Sequence, residues 1–186
     1  MGNQWPAAEP VDLAAGRLPP ELSARGTRGR PANVSGMDDL VLANLDEIVT
    51  DDRPRNERAG RAADVIRQAT QARWVGIYTV ADTLVTNEGW SGPGAPAHPS
   101  FPTTEGLTGH AVRTGTIALS NDVARDPRYL TNQDDSGSEL IVPIVLNGRL
   151  IGTLDVESGD LGAFDGAAVV EYERLAAALR PLWQRD

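Results

Sequence analysis

Hydrophobic residues recur at helical spacing in three segments of this chain. Leu40, Leu45 and Ile48 lie on one face of a helix predicted over residues 37–50, and an alanine-rich stripe predicts a second helix over 54–71. The final helix is predicted over 165–182, with Asp165 as its N-cap. Its inward-facing positions are Val169, Tyr172, Leu175, Ala176 and Leu179. The predicted helices therefore lie before and after the central part of the chain.

The central part of the chain is rich in β-branched and aromatic residues and predicts antiparallel strands. Strands are predicted over 74–80, 84–88, 116–120, 138–146 and 149–157, and a short helix over 107–113. Asn147-Gly148 is typical of a tight hairpin turn between the last two strands. The Gly- and Pro-rich stretch 91–102 predicts an irregular crossing or an interrupted edge strand. The polar stretch 121–137 predicts a long loop of the kind that often covers a site.

This order of elements predicts an α+β fold, with a mainly antiparallel central sheet and the N- and C-terminal helices packed on one face. The chain has no internal repeat. Residues 1–36 mix Pro, Gly, Ala and Arg without periodicity, and we expect them to form a flexible arm before a single domain over 37–186.

The charge balance narrows the range of partners. The chain has 26 acidic and 17 basic residues, for a net charge of -9, which disfavours nucleic acid and anionic membranes as partners. It has no apolar run long enough to span a bilayer, and its start lacks the features of a signal peptide. We therefore expect a cytoplasmic protein.

Two absent residue types exclude several chemistries. The sequence contains no cysteine, and all of its basic residues are arginine. A thiolate nucleophile, a disulfide, a Schiff base and a phosphate-loop lysine are therefore excluded. Two histidines are too few for a tris-histidine zinc site, and we predict neither a metal nor a cofactor. The motifs of serine hydrolases and dinucleotide-binding folds are also missing.

Four motifs resemble those of GAF domains. They are Trp74-Val-Gly-Ile-Tyr78, Gly106-Leu-Thr-Gly109, Ser138-Glu-Leu-Ile-Val-Pro143 and Ile151-Gly-Thr-Leu-Asp-Val-Glu-Ser158. The resemblance covers about residues 37–182. Within that family, the first-strand tryptophan and the Ser-Glu pair are most similar to free methionine-(R)-sulfoxide reductases.

The resemblance implies a set of ligand-binding residues. Trp74 and Tyr78 match the residues that wall the methyl-sulfoxide end of the ligand in those reductases. Glu139, Asp155 and Glu157 match the acidic residues that hold its amino group, although Glu157 replaces a usual aspartate. The positions of the catalytic cysteines are matched by His98, Thr108 and Asn132. None of these can form a sulfenate or a disulfide, so thiol-dependent reduction is excluded.

Whether the acidic residues meet depends on strand register. Asp155 and Glu157 are two apart in one strand and point to the same face. With a two-residue turn, Glu139 lies opposite Val156 and points away. With a three-residue turn and a left-handed Gly148, Glu139 lies opposite Asp155. We predict that only the second register builds the acidic cluster.

Clustered carboxylates repel one another, and burial raises at least one pKa unless a cation neutralises them. An ammonium group fits this requirement, and the aromatic wall suits an apolar or sulfur-containing tail. The same residues are also compatible with a purely structural role, in which Trp74 and Tyr78 are core residues and the acids bind backbone donors or water. We expect His98 to reach the pocket and His110 to lie on a helix surface.

These observations favour a non-catalytic, ligand-binding sensor domain for a free amino acid or small amine. The alternatives are a cysteine-independent enzyme that uses paired carboxylates for proton transfer, or a structural dimerisation domain. The apolar first and last helices predict a homodimer, and a sensor of this kind would need a separate effector protein. Cyclic nucleotides are disfavoured by the acidic face.

Overall fold

The computed structural model describes residues 34–131 and 135–184. The helices are α1 (Val34–Val49), α2 (Arg55–Thr70), α3 (Gly106–Thr114) and α4 (Gly166–Ala178), with 3₁₀ turns at Val123–Arg125 and Arg180–Trp183. The strands are β1 (Trp74–Val80), β2 (Leu84–Ser91), β3 (Ser100–Pro102), β4 (Ala118–Ser120), β5 (Ser138–Leu146) and β6 (Arg149–Ser158). None of the helices in these ranges has the length and apolar character that crossing a bilayer requires.

The six strands form one antiparallel sheet in the order β3-β2-β1-β6-β5-β4. Helices α1, α2 and α4 cover one face, where their apolar side chains form the main core with Val75, Ile77, Leu140, Leu154 and Val156. Helix α3 packs on the opposite face through a smaller cluster. The predicted α+β sheet with its terminal helices on one face is confirmed.

Several element boundaries differ from the sequence expectation. Helix α1 begins at Val34, before the predicted start, and the rest of the predicted arm lies outside the described residues. Strand β2 continues to Ser91, and the interrupted edge strand is the short β3. The polar loop contains a 3₁₀ turn at Val123–Arg125, and its residues 132–134 lie outside the described part of the chain.

Helix α4 has the predicted cap but not the predicted end. The Asp165 carboxylate accepts hydrogen bonds from the amides of Ala167 and Ala168, at 3.0 and 2.9 Å. The five predicted inward-facing residues are buried. The α-helix ends at Ala178 and continues as a 3₁₀ turn, because Pro181 has no amide proton and its ring cannot follow a regular α-helical turn.

The β5–β6 hairpin combines a tight turn with a bulge. Leu146 pairs with Arg149, so the turn is the two-residue Asn147-Gly148, with φ of 51° and 75°. These positive values are those of a type I′ turn, which Asn-Gly adopts readily. Further along, Ile144 pairs with Gly152 while Val145 pairs with Leu150, so β6 contains one extra residue, Ile151.

The bulge overturns the predicted link between turn length and the acidic cluster. Glu139 pairs with Glu157, neither with Val156 nor with Asp155. The extra residue shifts the register by one position, which moves Glu139 back to the face of Asp155 and Glu157. The acidic cluster therefore forms with a two-residue turn, and the prediction that it needs a three-residue turn is wrong.

Candidate functional site

The acidic cluster and the first-strand aromatics share the sheet face opposite the main core. Strand β6 pairs with β1 so that Glu157 lies opposite Trp74, Asp155 opposite Gly76, and Thr153 opposite Tyr78. The β5 pairing adds Glu139 beside Glu157. Since directly opposite residues project to the same face, three central strands place three carboxyl groups next to two aromatic rings.

These side chains line a pocket that opens to solvent, and its empty space, with the solvent at the mouth included, is about 360 Å³. All six residues predicted as ligand-binding border it, namely Trp74, Tyr78, His98, Glu139, Asp155 and Glu157. Five more of the described residues line it: Phe101, Gly106, Leu107, Thr108 and Leu130. Thr108 and Gly106 lie in motifs recognised in the sequence. Phe101 and Leu130 lie in segments without periodicity, which gave no signal of their place in the pocket.

Three aromatic rings form the apolar wall. The ring centroids of Trp74 and Tyr78 are 6.5 Å apart, and Phe101 packs edge-on against Tyr78 at 5.8 Å. Trp74 donates its indole proton to the carbonyl of Gly94 at 3.1 Å, which links the chain at Gly94 to the ring. A Cβ on Gly76 would lie 2.3 Å from the Trp74 ring, so the absence of a side chain there makes room for the wall.

Two hydroxyl groups donate to the carboxylates. Thr108, in the first turn of α3, donates to Asp155 Oδ2 at 2.9 Å. Ser136 donates to Glu157 Oε2. Among the described residues, the acceptors Asp155 Oδ1 and Glu139 Oε2 are buried without a hydrogen-bond partner, as is the hydroxyl of Thr153 on the same face. A buried acceptor left unpaired costs about 1–3 kcal/mol, so these two oxygens mark where a donor is missing.

Burial and mutual repulsion make the cluster difficult to ionise fully. Burial raises the pKa of Asp155 to about 7; the hydroxyls of Thr153 and Thr108 oppose this shift, and the charge of Glu157 reinforces it. Burial also raises the pKa of Glu139 well above its ordinary value, and Glu157, Asp155 and Asp126 add to the effect. The pKa of the Tyr78 phenol is likewise raised, chiefly by burial. The arrangement of these carboxyl groups therefore favours bound protons or a cationic ligand.

The loop after β4 lies against one side of the pocket. Its Leu130 reaches the cavity, and Arg73 forms an ion pair with Asp135 at 2.7 Å near the loop's return to the sheet. Asp126 is paired with Arg128, whose hydrogen bonds lower the pKa of Asp126 to about 2. Leu130 therefore places part of this loop beside the pocket, and its role as a cover stays a prediction. Asn132 lies outside the described residues.

The sequence profile of the GAF domain matches residues 52–180, which is more than half of the chain. The chain belongs to the GAF family. The free methionine-R-sulfoxide reductase of Escherichia coli is 30% identical over 124 residues, covering 65% of this chain and 72% of that protein. This finding confirms the family resemblance recognised in the sequence motifs.

Solved structures agree with this GAF assignment. A free methionine-R-sulfoxide reductase from Neisseria meningitidis, in complex with its substrate, matches with a TM-score of 0.72 and 25% identity, covering 86% of this chain and 95% of that one. The GAF domain of an Acinetobacter phosphoenolpyruvate-protein phosphotransferase matches with a TM-score of 0.69 and 18% identity, covering 78% and 92%. The second likeness shows the fold alone.

The chemistry of this GAF pocket is limited by its side chains. The sequence has no cysteine, so the pocket cannot carry out thiol-based sulfoxide reduction. The described residues include no group of three or more His, Asp or Glu arranged to hold a metal ion. His110 is partly buried on α3 and does not line the cavity. What the GAF domain offers is a small-molecule pocket with an acidic side and an aromatic side.

Proposed function

We propose that this GAF domain is a non-catalytic sensor that binds a free amino acid. The observation that carries the proposal is the pair of buried, unpartnered oxygens, Glu139 Oε2 and Asp155 Oδ1, in an open pocket. An ammonium group supplies several donors and a positive charge, and it relieves both the unpaired acceptors and the repulsion between carboxylates.

A helix N-terminus in the pocket lining favours an amino acid over a simple amine. Gly106, Leu107 and Thr108 form the first turn of α3 and line the cavity. Glu105, at the N-cap, makes no side-chain hydrogen bond to the amides of that turn. Amides at a helix N-terminus favour anions, so a ligand carboxylate would suit this side while the ammonium faces the acids.

The aromatic wall indicates the kind of side chain. Trp74, Tyr78 and Phe101 present ring surfaces that suit an unbranched apolar or sulfur-containing chain. The relatives named for free methionine-R-sulfoxide reductase make methionine and its sulfoxides the first ligands to test. Because the chain lacks cysteine, we expect such a ligand to bind without being reduced.

A cysteine-independent enzyme is the second candidate. The observation that favours it is Asp155, whose pKa of about 7 is suited to proton transfer at neutral pH. Turnover of a bound amino acid, abolished by Asp155→Asn, would support this candidate. Saturable binding with the ligand recovered unchanged would support the sensor.

The partners of such a sensor are part of the proposal. The apolar first and last helices would form a homodimer interface, and a separate effector protein would receive the signal. Leu40 on α1 and Val170 on α4 are exposed, at 73% and 49%, and are the residues with which to begin. Sedimentation of Leu40→Glu, compared with wild type, tests the interface. Nucleic acid and membranes are not among the proposed partners, and the protein would act in the cytoplasm.

The function is tested by thermal unfolding with a ligand panel. The panel contains the free amino acids, both methionine sulfoxide epimers, polyamines and cyclic nucleotides. At a hundred times Kd, a ligand stabilises by about 2.7 kcal/mol, which corresponds to a Tm increase of roughly 5–10 °C for a domain of this size. Asp155→Asn should remove the shift, whereas Asp82→Asn, the same change at an exposed turn, should retain it. No shift with any compound would favour the structural dimerisation domain instead.

A further inference from the structure

The three carboxyl groups of the pocket differ in their hydrogen bonds. Asp155 accepts from the Thr108 hydroxyl and Glu157 accepts from the Ser136 hydroxyl. A hydroxyl donor stabilises the ionised form of a carboxylate. Glu139 Oε2 has no such donor among the described residues, although Glu139 is only 7% exposed.

The groups around Glu139 also disfavour a charge there. Glu157 is its direct cross-strand neighbour, and Asp155 lies on the same face. Asp126 faces it from the loop after β4, held ionised by Arg128. The other titratable groups of the pocket are Tyr78 and His98, and no arginine belongs to its described lining. An ionised Glu139 would therefore be exposed to the charges of Glu157, Asp155 and the Arg128-paired Asp126, with no cation in the described lining of the pocket.

We propose that Glu139 is held as the neutral carboxylic acid at physiological pH, while Asp155 and Glu157 supply the ionisable charge of the pocket. Burial of a carboxyl group beside other acids is the arrangement by which proteins keep an acid protonated. The raised pKa of Glu139, caused first by burial and then by its acidic neighbours, agrees with this assignment.

A neutral Glu139 changes what the pocket recognises, on the basis of the proposed function. A single ligand ammonium would face at most two negative charges rather than three. The protonated carboxyl would add a hydrogen-bond donor beside them. An amino acid, whose ammonium lies next to an acceptor group, would use both features, whereas an alkylamine would use only the charges.

Infrared spectroscopy of the ligand-free chain tests the protonation state directly. The carbonyl stretch of a protonated carboxylic acid is separate from the carboxylate bands. We expect the wild-type protein to retain such a band at pH 8 and Glu139→Gln to lack it. Glu173→Gln, the same change at an exposed position of α4, should leave the band intact. A wild-type spectrum without the band at pH 8 would overturn the proposal, whether or not the variants fold.

The pH dependence of folding provides a second readout. When a group is protonated in the folded state and ionised in the unfolded state, each unit by which the pH rises lowers the folding equilibrium constant tenfold. The stability of Glu139→Gln relative to wild type should therefore keep rising up to pH 8. A gain that levels off below pH 7 would contradict a neutral Glu139. Neither measurement needs a ligand. A panel in which no compound raises Tm would therefore count against the sensor function alone.

Discussion

At the scale of single residues, Asp155 is the most informative position in the pocket. It is 5% exposed, one of its oxygens accepts from Thr108, and the other has no partner among the described residues. A carboxylate in this position is costly to ionise when the pocket is empty. The same carboxylate becomes favourable when a cation enters. Ligand binding and protein stability should therefore respond to Asp155 in opposite ways.

Replacing Asp155 by Asn should change how stability depends on pH. The pKa of Asp155 is about 7 in the folded protein and 3.8 in its reference state, so the folded state binds more protons between these values. The contribution of Asp155 to the unfolding free energy therefore falls as pH rises through this window and levels off above pH 7. This group alone accounts for a loss of about 2–3 kcal/mol between pH 5 and pH 8.

Urea unfolding at several pH values measures this difference. Asp155→Asn should be more stable than wild type at pH 8, with a smaller advantage at pH 5. Asp82→Asn, at an exposed turn, serves as the control and should follow the wild-type pH profile. An Asn variant that loses stability equally at all pH values would mean that Asp155 acts only through packing and its bond to Thr108.

Much of the site could be predicted at this scale because its acidic and aromatic residues can be recognised by type alone. Trp74, Glu139 and Asp155 are aromatic or acidic residues within apolar strands, where such residues point to a specific structural or binding role. Phe101 and Leu130 could not be recognised in this way, since single apolar residues in irregular segments carry no periodicity. Only the folded chain brings them to the pocket.

At the scale of elements, periodicity and turn chemistry predicted most helices and strands, but not the register of the final hairpin. Asn147-Gly148 has the sequence of a type I′ turn and forms one. The bulge at Ile151 has no comparable local signature. It is favoured because it keeps Leu140 and Val142 in the main core and Leu154 beside them, which is a tertiary effect.

The N-cap of α4 offers a test at this scale. The Asp165 carboxylate satisfies two amides that have no other partner within the helix. Asp165→Ala should lower the unfolding free energy by about 1 kcal/mol, or reduce Tm by roughly 2–4 °C. Asp165→Asn keeps an acceptor oxygen and should lose less. An alanine variant as stable as wild type would mean that the first turn of α4 is held by packing alone.

At the scale of the whole molecule, the two faces of the sheet have different roles. One face holds the main core under α1, α2 and α4, and the other holds the acidic and aromatic pocket with α3. Alternation along a strand separates them: Tyr78 faces the pocket, while its neighbour Thr79 faces the helices. Substitutions on the helix face should therefore alter stability without altering the pocket.

The C-terminal Trp183 tests this separation because it belongs to the helix face. Its indole donates to Thr79 Oγ1 at 2.8 Å, and its ring packs where a side chain on Gly152 would lie. Trp183→Phe keeps an aromatic ring but loses the hydrogen bond, so Tm should fall by an amount equivalent to about 0.5–1.5 kcal/mol. The Tm increase caused by the best amino acid of the panel should stay at its wild-type value, in contrast to Asp155→Asn.

If Trp183→Phe also reduced that increase, the pocket and the C-terminal segment would be energetically coupled through β1, because Thr79 adjoins Tyr78 in that strand. The C-terminal segment would then be the place to look for the output of the proposed sensor.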